Sequence, residues 1–379
     1  MFSIHIRQPF NRLYYLKKFK WASCFFIFKC IFKFFLIIFF LEIAYFMVAV
    51  FLNSVSHSKY SIEKDFYRGN SVDRHVNQTR KSLKMLNKNV SKFYKYLFTP
   101  NTVHIKTILT PLNNCDKVTQ TNTTNILVFV KSTANEFDLR QSVRATWANS
   151  QCFTRYGIKA YIYFTLGRGN SSNWNESLMQ YRILLESKQY QDILQFDFVE
   201  SYYNLTRKLI GTIQYATFHC FTSKFIVLID HDFIVNPVNL AKFLLNISDA
   251  QYPRYVAGHV IKNAKPFRTN KSKWFISKTV FPFNSYPSYP LGGTIIFSRP
   301  VISELNKKLI HMKLFPFDDV LLGIVLQKMK IPIFFIKNIF LSKYPLDFRR
   351  QFLTAQTNGV PSIMVNTWKS LRFTDMCIP

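Results

Sequence analysis

The sequence predicts an α/β fold, and three observations carry that prediction. From Asn125 onward, short apolar runs alternate with polar stretches of helical pattern. One of those runs, 225–228, is continuously apolar, as a strand covered on both faces is. A separate apolar segment near the N-terminus is too long and too uniform to share that core.

That segment, 34–52, carries a single charge, Glu42, and has the length at which a helix crosses a bilayer. Arg7, Arg12, Lys17, Lys18, Lys20, Lys29 and Lys33 precede it, with no acidic residue before Glu42. The positive-inside bias then keeps 1–33 as a basic cytosolic tail and puts the rest of the chain in the lumen. A cleaved signal peptide would have a shorter apolar stretch and a small-residue cleavage site, and Phe51-Leu52-Asn53 is a poor one. Residues 53–120 are rich in Ser, Asn, Lys and Thr and read as a lumenal stem, with some helix around 72–97.

The remainder, 121–379, reads as one α/β domain without an internal repeat. Strands are predicted at 126–130, 160–166, 225–228, 255–260, 274–276 and 294–297. Helices are predicted at 136–147, 178–186, 205–218 and 318–329, with Asn204 or Ser201 able to start the third.

A lumenal address agrees with eight Asn-X-Ser/Thr sequons, at Asn77, Asn89, Asn122, Asn170, Asn175, Asn204, Asn246 and Asn270. An Asn-, Ser- and Thr-rich chain produces several such triplets by chance, so they weigh only beside the anchor. Cys115, Cys152, Cys220 and Cys377 fall on the oxidising side and allow two disulfides in any of three pairings. Their spacing has no zinc signature, and Cys24 and Cys30 lie at the membrane.

The formal charge is +30, of which +24 lies beyond the anchor, 43 basic against 19 acidic residues. A field of that sign attracts nucleotide diphosphates, anionic glycans or membrane surfaces. Heavy use of lysine throughout the chain explains it equally well. Nucleic acid is excluded by the lumenal address and by the lack of a zinc-finger, basic-zipper or RNP-like pattern.

The sequence Phe225-Ile-Val-Leu-Ile-Asp230-His-Asp232 ends an apolar strand in two carboxylates one residue apart, which share a face of an extended chain while His231 points away. Hard paired oxygens suit Mg²⁺ or Mn²⁺ completed by substrate phosphates, although acidic triplets also occur in ordinary turns. Asp318-Asp319 opens a helix after the apolar Leu314-Phe315-Pro316-Phe317. Asp318 reads as a helix-start carboxylate, and Asp319 is the better candidate for a base with a raised pKa.

Arg140 and Arg144, four apart on a helix ahead of Trp147, are candidate phosphate or uracil contacts, or members of a salt-bridged helix surface. Gly292-Gly293 follows the aromatic Tyr286-Pro-Ser-Tyr289-Pro290 and lets backbone approach a ligand, or forms a plain turn. Walker, dinucleotide-binding and Gly-X-Ser-X-Gly patterns are absent from the sequence, which removes support from kinase, dehydrogenase and α/β-hydrolase readings.

Taken in order, Val128-Phe-Val-Lys-Ser132, Arg140-Gln-Ser-Val-Arg144-Ala-Thr-Trp147, the stretch from Tyr190 to Phe198, Tyr203-Asn204-Leu-Thr206-Arg-Lys208, the acidic triplet, Tyr286-Pro to Gly292, and Asp318-Asp319-Val320 with Gly323 resemble a known series. It is that of the β1,3-galactosyltransferases and β1,3-N-acetylglucosaminyltransferases, glycosyltransferase family 31, and the resemblance covers about 250 residues. It implies a GT-A nucleotide-diphospho-sugar transferase fold, a UDP-sugar donor, Mn²⁺ or Mg²⁺, inversion by direct displacement, a glycoprotein or glycolipid acceptor, and type II topology in the Golgi membrane.

Carried onto matching positions, the resemblance makes Asp232 the direct metal ligand, Asp230 a further metal-site residue touching ribose or donor sugar, and Asp319 the catalytic base. Gly292, Gly293 and Asp318 become substrate-pocket candidates. The usual run of three Asp is Asp-His-Asp here, Thr294-Ile295 replaces the usual Gly-Tyr, and no histidine follows Asp319. Galactose and N-acetylglucosamine both remain open as donor sugars. A catalytically silent glycan-binding or enzyme-partner homologue is the alternative of another class.

Overall fold

The computed structural model describes residues 88, 91–95, 97–98, 102–112, 115, 124–169, 174–341, 351–373 and 377, with backbone alone at 174–177. Packing divides the chain into two units, Met1–Lys88 and Asn89–Pro379, and both sheets belong to the second. The basic tail, the apolar span 34–52 and the sequons at Asn77, Asn89, Asn122 and Asn170 lie outside the described residues. Among the described residues, no helix is long and apolar enough to cross a membrane.

In chain order the second unit contains β1 (Thr107–Leu109), β2 (Thr124–Lys131), α1 (Phe137–Arg144), α2 (Gln151–Thr154), β3 (Ile158–Arg168), α3 (Trp174–Tyr190), β4 (Ile193–Val199), α4 (Leu205–Phe218), β5 (Ser223–Asp230), β6 (Phe233–Val235) and α5 (Pro237–Leu245). It continues with β7 (Val256–Ile261), β8 (Tyr289–Ser298), α6 (Arg299–Leu309), α7 (Asp318–Lys328), β9 (Ile333–Phe335), β10 (Ile339–Phe340), β11 (Thr354–Gln356) and α8 (Pro361–Ser370).

Eight strands form one mixed sheet in the order β1-β4-β3-β2-β5-β8-β7-β9, and β10-β11-β6 form a small second sheet. Strands β4, β3, β2 and β5 run parallel, while β8 is antiparallel to both β5 and β7. The central strands are apolar because both faces are covered. In β2, Leu127 and Phe129 pack on one side with Leu209 of α4, Val301 of α6 and Val320 of α7. Ile126, Val128 and Val130 pack on the other with Val143 of α1, Leu240 of α5 and Met364 of α8. The chain thus forms the predicted α/β sheet, with helices on both faces.

The topology also fixes where a ligand can sit. From β2 the chain moves outward through β3 and β4, then returns to place β5 on the other side of β2. The crossovers diverge there, and in open α/β sheets a ligand usually sits in the crevice outside the carboxyl ends of the strands at such a switch point, here the ends of β2 and β5. Lys131 and Asp230 end those strands and are paired in register.

Three expectations are corrected. The domain does not begin near 121: Phe93, Leu97 and Ile105 are buried in the core and β1 pairs with β4, so the C-terminal part of the stretch read as stem belongs to it. Residues 274–276 form no strand, because Trp274 and Phe275 are exposed and their loop is held by Arg268, which donates to the carbonyls of Ile276, Phe281 and Phe283. Gly292 and Gly293 lie inside β8, which starts at Tyr289, and form no turn.

Helix α5 was missed although Asn236-Pro237 announces it: Pro237 occupies the first turn and the Asn236 side chain accepts from the Asn239 amide at 3.1 Å. The open disulfide pairing resolves as Cys115–Cys220 and Cys152–Cys377. Of the described sequons, Asn246 and Asn270 are exposed, Asn204 is half-buried with its amide on the Val199 carbonyl, and Asn175 lies on α3.

Candidate functional site

The Lys131 ammonium, 9% exposed, lies 2.8 Å from Asp230 and donates to the Gly292 carbonyl at 2.7 Å. It therefore joins β2, β5 and β8 at the mouth of the crevice. Burial opposes its charge, but Asp230, Asp318 and Asp319 more than offset that and raise its pKa. Both acidic motifs singled out in the sequence thus act on the charge of one lysine that was not singled out. The signal was present: a lysine closes the fully buried run Ile126–Val130, where a cation needs a partner.

The triplet sends its three side chains to three different partners. Asp230 reaches Lys131, His231 contacts the Ser132 hydroxyl at 3.0 Å, and Asp232 accepts from the Gln356 amide at 2.8 Å. The Asp232 carbonyl is fixed by the amide and hydroxyl of Thr357, and Trp147 donates from its indole to the Phe233 carbonyl at 3.0 Å. Burial lowers the His231 pKa and so favours the neutral ring. Behind it Lys208 pairs with Glu200 at 2.9 Å and bonds the Ser132 carbonyl.

Asp318 and Asp319 occupy the first turn of α7, after Phe317 at the cap. Asp319 is half-buried, and its pKa rises to about 7. Desolvation is the largest cause and the charge of Asp318 the next, with the Val320 amide and Lys131 pulling the other way. Gly323 lies one turn along the same helix face, and a Cβ there would come within 2.5 Å of the Tyr289 Cβ. The missing side chain lets Tyr289 lie flush against α7 beside Asp319, whose charge, after burial, pushes the Tyr289 phenol up to about 12.

Arg140 and Arg144 have a different role from the nucleotide contact the sequence suggested. Arg140 is fully buried, and all its N–H groups have acceptors: two bonds to Glu186 at 2.8 and 2.7 Å, the Ser132 hydroxyl, and the carbonyls of Thr133 and Ala134. Arg144 makes two bonds to Asp192 at 2.8 Å and one to Glu186 at 2.8 Å, and its guanidinium stacks on Phe164 and Tyr190. These are the ion pairs of the alternative reading, buried in the domain.

Lys131 contacts Asp230 and the Gly292 carbonyl, and the charges of Asp318 and Asp319 act on it as well. Gly293 lies against Phe233, where a Cβ would come within 2.3 Å of the ring. The departures at Thr294 and Ile295 are packing residues: Thr294 bonds the Thr354 hydroxyl at 2.8 Å and Ile295 is in the apolar core. Among the described residues, no group of three or more His, Cys, Asp or Glu side chains gathers as a metal cage. The triplet offers two carboxylates one residue apart in the chain, Asp230 on Lys131 and Asp232 on the Gln356 amide, and hard oxygens of that kind suit a cation that draws its remaining ligands from phosphate and water.

The sheet is that of an α/β protein with Lys131 and Asp230 at its switch point, and sequence similarity places it among the glycosyltransferases. The family pattern described as Galactosyltransferase matches residues 138–336, and the chain belongs to that family. Among relatives, beta-1,3-galactosyltransferase 1 of Homo sapiens and of Mus musculus is 33% identical over 174 residues, 46% of this chain and 50% of the relative. The lactosylceramide 1,3-N-acetyl-beta-D-glucosaminyltransferase of Homo sapiens is 32% identical over 163 residues, 42% of each. The matched stretch thus spans half or less of these relatives' length. A solved galactosyltransferase in complex with donor and acceptor sugar analogues covers 67% of this chain and 97% of its own, at 11% identity and a TM-score of 0.32.

Proposed function

We propose that the chain is an inverting, UDP-sugar-dependent β1,3-hexosyltransferase that transfers galactose to a glycoprotein or glycolipid glycan. The observation that carries this is a pair of carboxylate groups of unlike character, Asp230 ending β5 and paired with Lys131 at 2.8 Å, and Asp319 opening α7 with its pKa raised to about 7. A group of that pKa at neutral pH is half deprotonated and accepts a hydroxyl proton.

Asp319 takes the proton of the acceptor hydroxyl. The acceptor oxygen's electron pair forms the bond to the anomeric carbon, and the bond from that carbon to the diphosphate oxygen breaks with its pair leaving on UDP. Attack opposite the leaving group inverts the carbon. Asp232, with Asp230 two residues earlier in the chain, would hold Mn²⁺ or Mg²⁺, which when bound would neutralise charge on the diphosphate. Lys131 fixes Asp230 and the Gly292 carbonyl on the donor side of the crevice. A type II Golgi-membrane address belongs to the same reading and rests on the basic tail, the apolar span and the sequons.

N-acetylglucosamine is the second donor to test, because a relative of almost equal similarity is named for its transfer. The test is a panel of UDP-sugars offered with Mn²⁺ and simple glycoside acceptors to the full chain, beside Asp232→Ala and Asp319→Asn. Transfer of galactose in β1,3 linkage, lost in both variants, is expected. No transfer with any donor would sink the enzyme reading, and full activity in Asp319→Asn would sink the choice of base.

A further inference from the structure

Beside Asp319 the surface carries an aromatic ledge that the proposed chemistry leaves unused. Tyr202, in the turn before α4, accepts a hydrogen bond from the Trp274 indole at 2.8 Å, and the two side chains stay 42% and 43% exposed. Tyr203 meets Tyr202 edge-on and Phe267 lies against Trp274, both also exposed. Thr206, four residues after Tyr202 in the first turn of α4, donates to the Phe315 carbonyl three residues before Asp318, which holds the segment carrying Tyr202 against the one that leads into α7.

Exposed aromatic side chains are costly to leave in water, and a hydrogen bond that locks two of them in one orientation from separate segments makes a preformed platform. Rings of this kind suit the apolar CH face of a pyranose, whose hydroxyls remain free for polar partners.

The ledge is also charged in one sense. Lys273 places its ammonium 4.7 Å from the Trp274 ring centre and 5.6 Å from that of Tyr202. The segment 262–288 between β7 and β8 contains five lysines and Arg268 and no acidic residue. Arg268 is spent on backbone carbonyls, but Lys262, Lys265, Lys271, Lys273 and Lys278 are exposed, and no ion pair holds them among the described residues.

We infer that this ledge is the acceptor subsite and that it takes a saccharide bearing an acidic group, with the pyranose face on Trp274 and Tyr202 and a carboxylate or sulfate on Lys273. The inference rests on the transferase reading for its role and extends it to the class of acceptor. A ring stacked on the ledge would carry its acidic group toward the Lys273 ammonium, which lies over both aromatic rings.

The test measures binding to the full chain in detergent, by titration calorimetry, of two methyl disaccharides. One is neutral, and the other is the same molecule with its second ring oxidised to a uronic acid. The acidic disaccharide should bind about tenfold more tightly. Lys273→Ala should abolish that preference, Trp274→Ala should weaken both disaccharides about tenfold, and neither should change the affinity for UDP. Equal binding of the two disaccharides, a preference that survives Lys273→Ala, or unweakened binding in Trp274→Ala would overturn the inference. So would Lys273-dependent capture of acidic phospholipid vesicles with no disaccharide bound. Because binding is read without turnover, a chain that transfers no sugar but keeps the Lys273-dependent preference supports the ledge while removing the transferase reading. A chain that transfers sugar but binds both disaccharides alike removes the ledge alone.

Discussion

Two clusters of basic and acidic side chains flank the end of β2, and they differ in how their charges balance. In the first, Arg140 and Arg144 meet Glu186 and Asp192 through directed bonds, two cations against two anions, closed and buried. Burial opposes ionisation of Glu186, yet the two arginines override it and lower its pKa. In the second, one lysine pairs with Asp230 and also feels the charges of Asp318 and Asp319, and burial with like charge lifts Asp319 to about 7. A balanced cluster holds its protons fixed and serves the fold. An unbalanced one leaves a carboxyl ready to exchange a proton near neutral pH, which is what a base needs.

The largest expected effect breaks the unbalanced cluster. Asp319→Asn should lower kcat/KM by about 10²- to 10⁴-fold, the usual contribution of a positioned base, read in a steady-state transfer assay. The same change should raise the melting temperature at pH 8. A carboxyl whose folded pKa exceeds its unfolded value of about 3.9 loses stability as pH rises through the folded value, and asparagine carries no such charge.

Next comes the balanced cluster. Glu186→Ala leaves two buried guanidinium groups short of an anion and should cost about 3–5 kcal/mol in denaturant unfolding. The Glu186 contribution is present above its unfolded pKa of about 4.3 and is lost as pH falls through the lowered folded value. Activity per folded molecule should change little.

Gly293→Ala tests the packing beneath the second cluster, since its methyl group would meet the Phe233 ring; a loss of about 1–3 kcal/mol is expected by thermal denaturation. The smallest effect sharpens the comparison: Asp318→Asn removes the like charge and should move the acid limb of the rate profile to lower pH, with the maximal rate near that of wild type.

The alternation of apolar runs made the parallel core legible, and α4 falls on the bounds its pattern indicated, because strands buried on both faces and an amphipathic helix write their environment into local sequence. The acidic motifs were legible for the same local reason. What sequence could not show were the long-range pairings. Lys131 and Gly292 are 161 residues apart, and Arg140 and Glu186 are 46 apart. The arginines therefore looked free to meet a nucleotide and the lysine looked like a strand end. The Trp274 segment reads as a strand in sequence because aromatic residues favour strands and ledges alike.

Whether Asp319 accepts the acceptor's proton is tested most directly by the pH dependence of kcat/KM, measured on wild type with whichever UDP-sugar is transferred fastest. Activity should rise with pH to a plateau, with its midpoint near the Asp319 pKa of about 7 and no such limb in the residual rate of Asp319→Asn. A flat profile from about pH 5 to 8, or the same limb at full rate in Asp319→Asn, would contradict that role.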